Sequence, residues 1–212
     1  MSADRHNIVL TGFMGTGKTA VGKALAARSG RTFVDLDAEI FAQHGAVSDI
    51  FAEEDEEAFR EYERTVVAEV APRRNLVVAT GGGTFLDEEN VVAFLGSEII
   101  ALSATPDEII ERVTADGIET RPLLAHADDP RAEVERLFEE RRETYERFTT
   151  IDTTGKSVDR IVEEIGSRGT DISSPLEEPS TSGRASRETL LYGIVTVMTI
   201  IAILLLIAVL TF

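Results

Sequence analysis

The chain has 212 residues, 43% hydrophobic and 28% charged, the balance of one globular domain with room for an appendage. Its 38 acidic against 21 basic residues give a formal charge of −17, which excludes a nucleic-acid role resting on a broad basic face. The absence of cysteine excludes disulfide scaffolds, zinc ribbons and thiolate catalysis, and three histidines are too few for an imidazole metal cluster. Of the basic residues only Lys18, Lys23 and Lys156 are lysine, and such an acid-rich, lysine-poor surface suits a chain that stays soluble in concentrated salt.

No apolar stretch resembling a signal peptide precedes the first predicted strand, residues 8–11. A helical pattern covers 18–28. Between them Gly12-Phe13-Met14-Gly15-Thr16-Gly17-Lys18-Thr19 satisfies G-x-x-x-x-G-K-[ST] in the strand-to-helix setting that the pattern requires. Glycines let the backbone turn its N–H groups toward phosphate oxygens, and the helix N-terminus adds positive potential. Lys18 is suited to neutralise β- and γ-phosphates, and Thr19 offers a hydroxyl to Mg²⁺. A glycine-rich turn with no ligand would not need every fixed position.

The second strand, 32–35, runs into Asp35-Leu36-Asp37 ahead of a helix over 38–44. Open α/β sheets bind ligands beyond the carboxyl ends of their strands. An aspartate there is by itself usually a helix cap. Beside a phosphate loop, one carboxylate can hold a magnesium water while the other meets a substrate hydroxyl, both on one side of an extended segment. A helix over 56–70 starts from the acidic run Glu53-Glu54-Asp55-Glu56-Glu57, read most simply as a solvated N-terminus favoured by the helix dipole. On this helix Arg60 and Glu63 are i, i+3 neighbours able to pair.

The third strand, 76–80, leads into Thr80-Gly81-Gly82-Gly83-Thr84. A plain tight turn needs one glycine or two; three permit close approach of a ligand to the backbone. A helix over 88–95, a strand over 98–102 and a helix over 106–114 follow. The irregular stretch 115–129 holds Arg121-Pro122-Leu123-Leu124 and reads as a lid, with Arg121 able to swing onto a transferring phosphate. The helix over 130–147 carries Arg141-Arg142-Glu143-Thr144-Tyr145, where Arg142 reads as a surface charge. A last strand, 149–152, and a helix, 157–167, complete the pattern. The strands are continuous apolar runs, as for strands covered on both faces, and the alternation of β and α predicts a parallel sheet wrapped by helices.

Residues 167–189 are dominated by Ser, Thr, Pro, Gly and Glu and read as a flexible linker, so the folded domain is expected over 1–166, with −16 of the charge. Residues 190–212, LLYGIVTVMTIIAILLLIAVLTF, contain no charge. As a helix this run reaches ~35 Å, enough to cross a hydrocarbon core of ~30 Å. A transmembrane tail anchor is therefore expected. Arg184 and Arg187 just before it favour a cytoplasmic side for the N-terminal domain.

Taken together, GFMGTGKT, DLD, FREYE, TGGGT, RPLL and ERRETY, in this order, resemble the shikimate kinase family of P-loop, nucleoside-monophosphate-kinase-like enzymes, and GAVSDIF at 45–51 adds to the likeness. The likeness covers nearly the whole globular part. It implies a five-stranded parallel sheet of order 2-3-1-4-5 flanked by helices, and ATP-dependent phosphorylation of the 3-hydroxyl of shikimate in aromatic amino-acid biosynthesis. By the same resemblance Gly15, Thr16, Gly17, Lys18, Thr19 and Ala20 would hold ATP, and Thr19 with Asp35, through water, would hold Mg²⁺. Asp37 would bind the reacting diol and accept its proton. Arg60 and Arg141 would clamp the carboxylate, with Glu63 orienting Arg60. Gly81, Gly82 and Gly83 would line the acceptor site, Phe51 and Phe59 would flank the ring, and Arg121 would reach the phosphates. Arg112 is the nearest candidate for a second lid arginine near adenine. Glu143-Thr144, where the family often has Pro-Leu, and Ala20, in place of a common hydroxyl residue, depart from the pattern; the linker and apolar tail lie outside it. The catalytic domain is expected to be a monomer. The competing expectations are a related kinase for a gluconate-like acceptor and a membrane-tethered nucleotide-binding module without turnover.

Overall fold

The computed structural model describes residues 6–117, 122–125 and 127–172. The chain divides into two units, Met1–Leu176 and Glu177–Phe212, and every described residue belongs to the first. The linker beyond residue 172, the apolar run 190–212 and Arg121 lie outside the described residues. Among the described residues no helix is long and apolar enough to cross a membrane.

Strands β1 (Ile8–Gly12), β2 (Thr32–Asp35), β3 (Leu76–Ala79), β4 (Glu98–Ser103) and β5 (Thr149–Asp152) form one parallel sheet in the order β2-β3-β1-β4-β5, as expected. Parallel pairing brings all five carboxyl ends to one pole. The helices are α1 (Lys18–Ser29), α2 (Leu36–His44), α3 (Val47–Glu53), α4 (Glu56–Val70), α5 (Glu88–Ala93), α6 (Pro106–Asp116), α7 (Pro122–Ala125), α8 (Pro130–Glu146) and α9 (Val158–Ser167). Alternation along β1 divides the core between two faces. Ile8 and Leu10 pack with Leu25 of α1 and Ile161 and Ile165 of α9, whereas Val9 packs with Ile40 of α2 and Val66 and Val67 of α4. A third cluster gathers α6, α7 and α8 around Phe13 of the phosphate loop.

Most helices carry their own N-terminal stop. Asp55 caps α4, Asp87 α5, Thr105 α6, Asp129 α8 and Ser157 α9, each accepting from a backbone N–H. Pro106 and Pro130 stand at the first turn of α6 and α8, where a missing N–H costs nothing. At α1 the cap is Gly17, which has no side chain to offer, so the first N–H groups stay available to a ligand.

Three elements go beyond the sequence expectation: α3, α7 and a 3₁₀ turn at Thr84–Leu86. All are too short to show a hydrophobic period. A fourth departure concerns Asp35-Leu36-Asp37. The chain turns helical at Leu36, one residue after β2, because Asp35 caps α2 by accepting from the Ala38 N–H at 3.4 Å. Asp37 thus sits in the first turn of a helix rather than on an extended segment.

Packing of the domain continues past the expected boundary at 166. Thr170 is buried and its hydroxyl donates to Glu98 Oε1 at 2.5 Å. Arg31 donates to the Asp171 carbonyl at 2.5 Å, and Ile172 packs on the α1–α9 core. These contacts are long-range and aperiodic, so a Ser/Thr/Gly-rich run conceals them. Ending the chain after Ser167 is expected to cost about 2 kcal/mol, from one apolar anchor and two hydrogen bonds. Melting should fall by about 4–8 °C relative to a chain ending at Ile172, and equal melting temperatures would refute the strap.

Candidate active site

The turn after β1 is the phosphate loop. Gly12 has φ +131° and lies beside Leu102 of β4, whose carbonyl occupies the space a Cβ would need. Only glycine fits that backbone. Thr16 is fully buried and donates to the Phe13 carbonyl at 2.7 Å. Lys18 Nζ donates to the carbonyls of Gly12 and Phe13, both at 2.9 Å. The Thr19 hydroxyl donates to Asp35 Oδ2 at 2.8 Å, which joins the two oxygen ligands expected for Mg²⁺.

Around this loop is a cleft of about 570 Å³, lined by Gly15, Thr16, Gly17, Lys18, Thr19 and Ala20, by Asp35 and Asp37, and on the far side by Arg112, Lys156 and Ser157. Arg112 of α6 donates to the Gly15 carbonyl at 3.1 Å and to the Thr153 carbonyl at 3.2 Å, and pairs with Glu108 at 2.6 Å. It therefore ties the phosphate loop to the β5–α9 turn. Lys156, Thr153 and this tie escaped the sequence reading; the signal was the Thr153-Thr154-Gly155-Lys156-Ser157 turn at a strand carboxyl end.

A smaller cleft of about 160 Å³ adjoins the first. The expected acceptor-side residues Asp37, Arg60, Gly81, Gly82, Gly83 and Arg141 all line it, with Phe51 and Phe59 as apolar walls 5.2 Å apart between ring centres. Met14, Val47 and Leu123 complete the wall and were not anticipated. Met14, Asp37 and Gly82 line both clefts.

The two arginines expected to clamp a carboxylate are held differently. Arg60 donates to Glu63 Oε2 at 2.8 Å and to Glu56 Oε1 at 2.9 Å. Burial works against its charge, but Glu63 and then Glu56 more than offset this and raise its pKa. Glu63 is 1% exposed and accepts from the Thr84 hydroxyl at 2.6 Å, so a buried chain runs Thr84–Glu63–Arg60. Glu56, read from sequence as part of a solvated run, is thus a second partner of Arg60. Arg141, on α8, is 6% exposed and lies over the Phe13 ring at 6.0 Å. Its buried Nε has no hydrogen-bond partner. A buried unpaired donor costs about 1–3 kcal/mol, and a carboxylate would satisfy it. Tyr145, one helical turn on, donates to the Gly82 carbonyl; burial pushes its phenol up to about 12, so it stays a donor.

At Gly83 an added Cβ would lie 2.8 Å from both Arg60 guanidinium nitrogens. Gly83→Ala should displace Arg60 from its pairing geometry. The expected result is an acceptor KM raised about tenfold, for partial loss of a charge-assisted contact, with the ATP KM unchanged. An unchanged acceptor KM would detach Arg60 from the acceptor.

The family model described as "Shikimate kinase" matches residues 14–168. The chain belongs to the shikimate kinase family. It is 46% identical over 161 residues to shikimate kinase of Chromobacterium violaceum, covering 74% of this chain and 85% of the relative. It is 44% identical over 163 residues to that of Symbiobacterium thermophilum, covering 75% and 93%. A solved shikimate kinase from Acinetobacter baumannii in complex with shikimate superposes with TM-score 0.73 at 32% identity, covering 77% of this chain and 92% of that one. The family-model match ends at residue 168, short of residues 173–212.

Proposed function

We infer that the chain is an ATP-dependent shikimate kinase of aromatic amino-acid biosynthesis, forming shikimate 3-phosphate and ADP. The observation that carries this reading is Asp37, a carboxylate lining both the phosphate-loop cleft and the arginine-bearing cleft. A group transferred between two ligands must cross such a junction. ATP would lie along Gly15 to Ala20, with Lys18 on its β- and γ-phosphates, and shikimate would bring its carboxylate to Arg60 and Arg141. The domain carries a large negative charge, so an anionic substrate needs these local guanidinium groups.

Thr19 and Asp35 are hard oxygen donors beside the phosphate loop, the few protein ligands that Mg²⁺ takes when phosphates supply the rest. Mg²⁺ bound there would supply charge neutralisation on the phosphates. The 3-oxygen of shikimate attacks the γ-phosphorus; its proton passes to Asp37 as the new O–P bond forms. The bond to the β,γ-bridging oxygen breaks, and ADP leaves with that electron pair. Arg121, which lies outside the described residues, would reach the phosphates by the resemblance of its Arg-Pro-Leu-Leu motif. NMR of the product tests the reading: phosphate on the 3-hydroxyl is expected, and phosphate on another hydroxyl would overturn it.

Residues 190–212 are assigned as a membrane anchor holding the kinase domain on the cytoplasmic side. The support is the length and complete lack of charge of this run, with Arg184 and Arg187 before it. The full chain should fractionate with membranes and a chain ending at Ile172 should not. Recovery of both in the same fraction would remove the anchor.

A further inference from the structure

A cavity of about 360 Å³ lies between α8 and the β4–β5 edge of the sheet, and it shares no lining residue with either active-site cleft. Its size falls in the range of small-molecule sites, ~300–1,000 Å³. The cause is legible in the register. Ala101 pairs with Thr150 and Ser103 with Asp152, so one face of this ribbon presents short side chains under α8. Phe138, Arg142 and Tyr145, spaced four and three residues apart on α8, line the opposite side. Phe13 adds a further wall, edge-to-face with Phe138 at 5.7 Å. The chamber is thus aromatic, and its exposed lining residues are the charged Arg142, Glu146 and Asp152 together with the neutral Thr105 and Thr150. Arg142 lies over the Phe138 ring at 6.0 Å and pairs with Glu139 at the surface. Asp152 is fixed by the Thr154 N–H and hydroxyl.

We propose that this cavity is a second binding site, for a small aromatic zwitterion: a flat ring bearing both a carboxylate and an ammonium group. The ring would fill the space between Phe13, Phe138 and Tyr145. Arg142 would take the carboxylate and Glu146 with Asp152 the ammonium. A purely apolar ligand would make no use of this charged rim, and a ligand of single charge would use one sign only. The site borders catalysis without belonging to it. The Phe13 carbonyl accepts from Lys18, and the Tyr145 hydroxyl donates to Gly82, so an occupant touches two residues whose polar atoms support both clefts.

Calorimetric titration of the full chain with L-phenylalanine, in saturating shikimate and a non-hydrolysable ATP analogue, tests the site. Saturable binding at about 1 mM or tighter is expected, because the active site is filled and not competing. Phenethylamine and 3-phenylpropanoate, each with one charge, should bind at least about tenfold more weakly. Thr150→Phe, which fills the cavity from the edge strand, should abolish binding with kcat unchanged. Arg142→Ala, at an exposed position, should weaken phenylalanine about tenfold and phenethylamine not at all; it decides the matter if Thr150→Phe does not fold. No saturable binding, equal binding of the three probes, or affinity indifferent to both substitutions would overturn the proposal.

Discussion

Lys18→Ala should lower kcat by about 10²–10³-fold or more with every acceptor, the loss expected when one preorganised charge on a developing phosphoryl transition state is removed. The residue is well placed for this. Its ammonium rests on two phosphate-loop carbonyls, Gly12 and Phe13, at 2.9 Å each, and so stays within the cleft before any ligand arrives. The loop itself does not depend on Lys18 alone: Thr16 bonds Phe13 from within, and Arg112 holds Gly15 from outside. Melting of the variant should therefore stay within a few degrees of the parent while turnover disappears. Turnover within tenfold of the parent would place the catalytic charge elsewhere.

The second large effect separates the two clamp arginines. Arg141→Ala and Arg60→Ala should each raise the shikimate KM about 10- to 100-fold, with the ATP KM within a factor of about three, as for loss of a charge-assisted hydrogen bond. They should differ in stability. Arg60 is the ion-pair partner of Glu63, which is 1% exposed, and removing it leaves that carboxylate with the Thr84 hydroxyl but without its guanidinium partner. Breaking such a buried pair from one side costs about 3 kcal/mol, or about 6–12 °C in melting for a domain of this size. Arg141 has an unpartnered Nε and bonds the Tyr145 hydroxyl rather than a buried carboxylate, so its variant should melt nearer the parent than the Arg60 variant does. A fall in ATP affinity equal to that for shikimate would refute the acceptor assignment for either residue.

Local order was legible where a motif carries its own physics. The phosphate loop needs glycine at Gly12 because β4 leaves no room, and it needs Lys18 and Thr19 at the helix start; spacing alone conveys both. The sheet order came from resemblance to a family, since alternation of β and α fixes only that the sheet is parallel and wrapped. Contacts made across the fold left little trace in the sequence. Nothing near Gly15 points to Arg112, 97 positions away, and nothing near Gly82 points to Tyr145, 63 positions away. Asp35-Leu36-Asp37 departs from the expected extended segment for a related reason. The aspartate that was given a ligand role on strand geometry is also the cap that starts α2, and the cap decides the backbone. Glu56 and Thr170 looked like solvated residues because a charge run and a Ser/Thr-rich run conceal single side-chain partners, Arg60 and Glu98.

The measurement that bears most directly on the central claim is acceptor-dependent ADP release by the full chain, with ATP, Mg²⁺ and either shikimate or gluconate. Shikimate should support turnover with a kcat/KM at least about 10²-fold above that for gluconate, because the walls at Phe51 and Phe59 and the clamp at Arg60 and Arg141 suit a ring acid. ADP release that is independent of acceptor, or faster with gluconate, would contradict the account.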